Sequence, residues 1–173
     1  MEFKFETAYN QEAVTVMAKA LRKTIRKKQN CCARILSGIL VACAILVTLP
    51  FWDSSFVVDF RTVFTWLISA ILLLILIFED KIHGYIAWKR MMPGLDKAVV
   101  TFSEEGYLSE TPIGKSEFKY DSIQMLAETK DYFIFVFSRI HAQLYDKTSI
   151  SGGTIEEFRD FIKGVTGKEI QMI

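Results

Sequence analysis

The sequence contains few of the residues on which catalytic, metal-binding and disulfide-bonded proteins depend. Its 173 residues include two histidines and three cysteines, and Cys31 and Cys32 are adjacent. The histidines, His83 and His141, are far apart in the chain, although histidine is the usual acid–base side chain near neutral pH. Three cysteines in such positions do not make a disulfide framework. We therefore expect no enzymatic activity, no metal, no cofactor and no disulfide.

Signatures of phosphate and nucleic-acid binding are also missing. The segment Ser151-Gly152-Gly153-Thr154 lacks the lysine and the spacing of a nucleotide-binding loop, so helix capping explains it better. Residues 95–173 carry nine basic and thirteen acidic side chains. Nucleic-acid surfaces require a basic excess. The sequence therefore predicts no nucleic-acid partner, and the same balance weakens phosphoinositide binding.

Two long runs without charge are present instead. Residues 35–52 and 62–78 contain no Asp, Glu, Lys or Arg, and they are eighteen and seventeen residues long. At about 1.5 Å per residue, each would form a helix of roughly 26 Å, close to the roughly 30 Å hydrocarbon core of a bilayer. The runs predict a transmembrane helical hairpin and exclude a simple soluble domain.

Basic residues flank both outer ends of this hairpin. Residues 1–34 contain eight Lys or Arg against three Glu, whereas residues 53–61 contain one basic residue. Because basic residues near a membrane segment tend to stay in the cytoplasm, we expect both termini there and residues 53–61 outside. This basic stretch sets the topology, and six of its residues are expected to contact anionic lipid headgroups at the membrane surface. They are Lys19, Arg22, Lys23, Arg26, Lys27 and Lys28.

The N-terminal segment changes its period after ten residues. Phe3, Phe5 and Tyr9 alternate with polar residues, which predicts a strand, and Asn10 then offers a helix N-cap. Apolar residues next recur at helical spacing, which predicts an amphipathic helix that runs straight into the first span. We expect residues 1–10 to join the C-terminal sheet as a strand, and residues 11–94 to form this helix and the transmembrane hairpin.

The second span also extends beyond the bilayer. Its apolar helical face continues until Pro93-Gly94 through Ile82, Tyr85, Ile86, Trp88 and Met92. The two extensions are expected to pack together. In an antiparallel hairpin Glu79 and Asp80 leave the bilayer near the level of Arg34, which predicts charge pairing across the helices.

Residues 95–173 have the pattern of short strands followed by a helix. Six strands are expected at residues 98–102, 107–111, 116–120, 123–129, 132–137 and 142–145. The short turns between them favour antiparallel pairing. Thr154-Ile155-Glu156-Glu157 has the pattern of a capping box that opens the last helix. With the N-terminal strand, we expect an α+β membrane protein whose seven-stranded antiparallel barrel or sheet, capped by a C-terminal helix, is pleckstrin-homology-like.

Three segments carry a resemblance to a known family. They are Tyr120-Asp121-Ser122-Ile123, Glu128-Thr129-Lys130-Asp131-Tyr132-Phe133 and Thr154-Ile155-Glu156-Glu157-Phe158-Arg159. In these segments and in its layout, nearly the whole chain resembles the YcxB-like family of bacterial membrane proteins. The resemblance implies a two-helix hairpin in the bacterial inner membrane and a pleckstrin-homology-like C-terminal domain whose relatives bind peptides or lipids. The segments are scaffold motifs rather than catalytic ones.

Three functions remain open at this point. The leading hypothesis is a membrane-anchored, non-catalytic binding or scaffold module that presents its cytosolic domain to a protein or lipid partner. The second is a small oligomeric transporter or channel subunit, although such pathways usually carry buried ionisable groups. The third is a metal-dependent membrane enzyme that uses Glu79, Asp80 and His83, which are spaced to share a helix face. A metal site of this kind would require a dimer.

The first span contains small residues at helix-packing spacing. Gly38 and Ala42 form a small-xxx-small pair, with Ser37 beside it. Such pairs allow close helix approach in membranes. We expect them to support a homo-oligomer, and packing within the hairpin is the alternative.

Overall fold

The computed structural model describes residues 2–48 and 59–173, in which the chain forms five α-helices and eight β-strands. Residues 49–52 of the predicted first span, and residues 53–58 of the predicted external loop, lie outside the described residues. The elements in chain order are β1 (Phe3–Ala8), α1 (Gln11–Lys23), α2 (Lys27–Thr48), α3 (Phe60–Ile77), α4 (Glu79–Lys89), β2 (Lys97–Phe102), β3 (Tyr107–Thr111), β4 (Gly114–Phe118), β5 (Met125–Glu128), β6 (Tyr132–Val136), β7 (Ala142–Asp146), α5 (Ile155–Thr166) and β8 (Ile170–Met172).

The first sheet contains the N-terminal strand. Its order is β1-β2-β3-β4, and every pair in it is antiparallel. Phe3 lies opposite Phe102 and Phe5 opposite Val100. Phe3 and Phe5 are both fully buried, because alternate side chains of a strand point to the same face. The N-terminal strand therefore pairs with the C-terminal sheet, as its alternation predicts.

The second sheet corrects the predicted strand count. Its order is β7-β6-β5-β8, and β8 pairs in parallel with β5. The prediction of seven antiparallel strands is thus wrong in two respects. The described residues form eight strands, and the eighth pairs in parallel. Across residues 2–48 and 59–173 the two sheets stay separate, so the barrel form of the prediction is also wrong. β8 forms because α5 ends at Gly167, whose φ of +63° lets the chain turn back along β5.

An aromatic core lies between the two sheets and α5. The ring of Phe5 is 4.7 Å from that of Phe158 and 5.7 Å from that of Phe102, measured between centroids. Edge-to-face pairs of this kind contribute about 0.5–1.5 kcal/mol each beyond the buried area. Phe5 precedes the four helices in the chain and Phe158 follows them. The core is therefore complete only when both ends of the chain are present.

Helix α1 covers the other face of the second sheet. In β6, Phe133 and Phe135 enter the aromatic core, whereas Ile134 and Val136 belong to a second cluster on the opposite face. Leu21 of α1 is buried in this second cluster. Strand β6 is consequently buried on both faces, and α1 is a layer of the domain as well as the start of the helical segment.

The helix that leads into the first apolar run is broken, which corrects the prediction of a continuous helix. α1 ends at Lys23 and α2 begins at Lys27. Between them Thr24 has φ −102° and ψ −103°, and its Oγ1 donates a hydrogen bond to the carbonyl of Ala20 at 2.7 Å. Back-bonding by threonine bends helices. The break separates the helix that covers the sheet from the long apolar helix.

Helices α1 and α4 pack together, but not through the apolar face of α4. Gly84 is buried, and a β-carbon placed there would lie 2.2 Å from Oγ1 of Thr15. This glycine lets the backbones approach closely. The residues of the apolar face are exposed instead: Ile82, Tyr85, Ile86, Trp88 and Met92.

The charge pairing across the two extensions also differs from the expectation. Asp80 pairs with Arg22 at 2.6 Å rather than with Arg34. Arg34 lies in the next helix, beside α3, where its Nη2 donates to the carbonyl of Leu76 at 3.1 Å. The break after α1 explains this difference, because the helix that lies against α4 has already ended when the chain reaches Arg34.

Helices α2 and α3 are the two described helices that are long and apolar enough to cross a membrane, with mean hydropathies of 2.2 and 2.3. They contact each other, and Val41 of α2 and Ser69 of α3 are buried. Trp66 Nε1 donates to Oγ1 of Thr48 at 2.8 Å. Most of the remaining side chains of these helices are exposed, although they are apolar.

Candidate functional site

A cavity of about 500 Å³ lies between the α1–α4 pair and the strands β3, β4 and β7, and we call it the interlayer cavity. Its apolar wall comes from several elements. Met17 belongs to α1, Met91 and Leu95 follow α4, and Ile113 and Phe118 come from the β3–β4 hairpin. Ligand sites in proteins typically enclose about 300–1,000 Å³ and are mostly apolar. The interlayer cavity fits this description in size and lining.

One amide in the wall is held in a fixed orientation. Oε1 of Gln143 accepts hydrogen bonds from the hydroxyls of Tyr107, at 3.1 Å, and Tyr145, at 2.6 Å. Burial raises the pKa of both tyrosines, so both hydroxyls remain protonated donors. Because the oxygen is occupied, the amide nitrogen of Gln143 is the group that remains to donate into the cavity.

Hydroxyl groups add a second polar strip. Ser109 of β3 and Ser116 of β4 lie directly opposite each other and both line the cavity. Among the described residues of the lining there is no Asp, Glu, Lys or Arg, and His141 is at the rim of the β6–β7 hairpin. A charged ligand would lose its hydration here without gaining a counter-charge. The lining suits an uncharged group with an apolar body and one or two hydrogen-bonding atoms.

The six predicted membrane-surface residues have different surroundings. Lys19, Lys23, Lys27 and Lys28 are exposed, whereas Arg26 is half-buried. Arg22 is bound to Asp80 through two hydrogen bonds of 2.6 Å. Its guanidinium therefore holds α1 to α4, a contact that the sequence did not predict. Membrane contact by the six residues stays a prediction.

The residues of the hypothetical metal site do not converge on one point. Asp80 faces Arg22, and His83 is exposed. Across the part of the chain that the structure describes, no group of three or more His, Cys, Asp and Glu side chains is placed to hold a metal ion.

The small residues of the first span face away from the second. A β-carbon at Gly38 would have no atom within 4 Å, and Ala42 is exposed. Ser37 is half-buried. Gly38 thus does not pack against a described residue of α3, and self-association through the pair stays a prediction.

A buried ion-pair network was not predicted from the sequence. Glu128 ends β5, and its Oε1 lies 2.6 Å from Nζ of Lys147 and 2.8 Å from Nη2 of Arg159. Burial by itself raises the pKa of the Glu128 carboxyl, but the hydrogen bonds from Arg159 and Lys147 outweigh it, so that this pKa lies below its usual value. The network joins two of the three segments that carry the family resemblance. These two segments have a structural role, because the ion pair between Glu128 and Arg159 holds α5 against β5.

Comparison with known proteins supports the family resemblance for part of the chain. A family model described as YcxB-like protein matches residues 102–162, which run from the end of β2 into α5 and include the whole ion-pair network. No curated protein matched the chain. The match is narrower than the resemblance seen in the sequence, since it leaves out β1 and the helices α1 to α4. The chain carries a YcxB-like domain over residues 102–162, beside two long apolar helices.

Proposed function

We propose that the protein is a membrane-anchored, non-catalytic binding module. The two apolar helices anchor it in the bacterial inner membrane with both termini in the cytoplasm, as the basic flanks of the hairpin favour. Residues 1–10 and 95–173 form one pleckstrin-homology-like domain. Support for this fold is the arrangement of four antiparallel strands in one sheet, three consecutive antiparallel strands in the other and a helix that covers the core between them.

The observation that carries the proposal is the interlayer cavity. It is lined both by the helices that continue the spans and by the strands of the domain. A partner seated there would contact anchor and domain together. Its lining calls for an uncharged apolar group, such as an apolar side chain of a protein partner or part of a lipid, and binding it requires no reactive residue.

Photo-crosslinking in native membranes tests this site. A photoreactive amino acid at Ile113, which is exposed at the cavity, should give a discrete adduct, and the same amino acid at Asp160 on α5 should not. The Ser116→Trp substitution should fill the cavity and remove the adduct. The mass of the adduct tells a lipid from a protein. Equal labelling at both positions, or labelling that persists in Ser116→Trp, would contradict the proposal.

The topology needs its own experiment. A C-terminal cytosolic reporter should be active, and a C-terminal alkaline phosphatase fusion should be silent, because that enzyme requires an oxidising compartment. The reverse result would place the domain on the other side of the inner membrane and contradict the proposal.

A further inference from the structure

A second, smaller cavity of about 170 Å³ lies where α1 and α4 meet the start of α2, and we call it the junction cavity. Arg26 and Asn30 line it from one side, and Glu79 and His83 of α4 line it from the other. Unlike the interlayer cavity, it contains side chains of both charges. Ile140 of the β6–β7 hairpin also contributes to its lining.

Glu79 has a buried oxygen that nothing satisfies. Its Oε2 is buried and has no hydrogen-bond partner among the described residues. The neighbouring Asp80 occupies Arg22 with both of its oxygens, so that guanidinium is already engaged. A buried carboxylate oxygen without a donor is costly, and a cationic donor relieves the cost best.

The opposite side of the junction cavity offers donors to an anion. Arg26 is half-buried, and no carboxylate of the described chain forms an ion pair with it. The side-chain amide of Asn30 lies one helical turn further along and lines the same cavity. A ligand that fits both sides carries a cationic N–H donor at one end and an anion at the other.

The junction cavity lies at the level where the spans end. Glu79 is the first residue after the charge-free run 62–78, and Asn30 precedes the other run by five residues. Arg34, one helical turn beyond Asn30, is hydrogen-bonded to the Leu76 carbonyl near the end of the other run. With the hairpin in a bilayer, the cavity is therefore at the depth of the cytoplasmic headgroups.

We propose that the junction cavity binds the phosphoethanolamine headgroup of a membrane lipid, with the primary ammonium on Glu79 and the phosphate on Arg26 and Asn30. The inference rests on the proposed membrane anchoring. A choline headgroup has the same charges but no N–H to donate, and a phosphoglycerol headgroup has no cationic group to place on Glu79. The protein should therefore discriminate among headgroups by N–H donation and not by net charge alone.

The test uses the full chain in nanodiscs of phosphatidylcholine doped with phosphatidylethanolamine, and native mass spectrometry measures the lipid retained. We expect retention of the ethanolamine lipid over its N-trimethylated analogue, with the mono- and dimethylated lipids in between. Glu79→Gln should lower this preference about tenfold, as loss of one charged hydrogen bond does. Arg26→Gln should lower retention of both lipids. The exposed Lys119→Gln, in the C-terminal domain and outside the lining of both cavities, is the matched control and should change neither.

The outcomes separate the two proposals. If the wild-type protein retains the methylated lipids as well as the ethanolamine lipid, the inference is overturned without any variant. A Glu79→Gln protein whose preference for the ethanolamine lipid is unchanged would overturn it as well. If soluble phosphoethanolamine is retained as well as the lipid is, the ligand is a soluble metabolite and the lipid assignment is wrong. Extraction of the chain from native membranes by alkaline carbonate would contradict the anchoring, which is the proposed function itself.

Discussion

Replacement of Glu128 by Gln should destabilise the domain far more than the loss of an exposed charge does. The Glu128 side chain is 2% exposed and that of Lys147 is 8% exposed, with 2.6 Å between their charged atoms. The substitution keeps the shape of the side chain but removes its charge. Lys147 would then remain buried without a carboxylate, and its partners would be neutral groups: the introduced amide oxygen, the carbonyl oxygens of Thr129 and Lys130, and the ring of Phe133.

The expected size follows from this geometry. Removing one partner of a buried ion pair costs about 3–5 kcal/mol, because the other charge stays desolvated. The two carbonyl contacts of Lys147 place Glu128→Gln near the lower end, at about 3 kcal/mol. Arg159→Gln should cost less, about 1.5–3 kcal/mol, since Glu128 keeps Lys147 and the Arg159 side chain is 33% exposed.

Urea unfolding of the full chain in detergent micelles measures these differences, with near-ultraviolet circular dichroism of the aromatic core as the signal. Glu110→Gln is the matched control, because Glu110 pairs with Lys115 on the surface and such pairs contribute about 0–1 kcal/mol. A loss in Glu128→Gln no larger than that in Glu110→Gln would refute the reasoning.

The same carboxylate predicts a dependence on pH. The pKa of Glu128 in the folded chain lies below the ordinary value of 4.5. Its stabilising contribution is therefore complete above about pH 4.5 and is lost as the pH falls through the folded-state pKa. Glu128→Gln should flatten the acid limb of the stability curve below this pH, and an unchanged acid limb would contradict the assignment.

Three further substitutions test the architecture. Gly84→Val should separate α1 from α4 and cost about 1–3 kcal/mol in thermal unfolding, whereas Gly164→Ala, in open space on α5, should not destabilise. Phe5→Ala should cost about 3–5 kcal/mol, because the ring is fully buried, and a neutral result would show that residues 95–173 close without β1. Gly38→Ile should lower the crosslinked dimer yield in native membranes while Leu36→Ile does not, and equal yields would exclude self-association through this face.

Sequence patterns correctly predicted the strand and the helix caps that are determined by neighbouring residues. The period-two residues Phe3 and Phe5 predicted β1, and the N-cap at Asn10 is present, with its side chain accepting from the Ala13 amide. The capping box at Thr154 is also present, with reciprocal bonds to Glu157. In each case the residues that cause the structure lie within a few positions of one another.

Features that depend on distant contacts were missed. The partners of Glu128 lie 19 and 31 residues away, so no spacing rule connects them. The helical period of α4 predicted an apolar packing face, but α4 contacts α1 closely through Gly84. A pattern of hydrophobic residues does not identify a glycine as a contact. The interlayer cavity combines residues from both ends of the chain, and its lining has no motif because it is defined by shape and by the absence of charge among the described lining residues.

The position of the hairpin in the chain explains why the two helical extensions must pack so closely. β1 and β2 are neighbours in one sheet. The chain leaves β1 at Tyr9 and enters β2 after Asp96, and the Tyr9 amide donates to the carbonyl of Asp96 at 2.8 Å. Both extensions therefore start from one point on the domain. Gly84 lets the two helices run side by side at a close distance. The Arg22–Asp80 pair joins the same two helices, and α1 also covers β6. Because residues of α1 and α4 line both cavities, a displacement of either helix would change the walls of both.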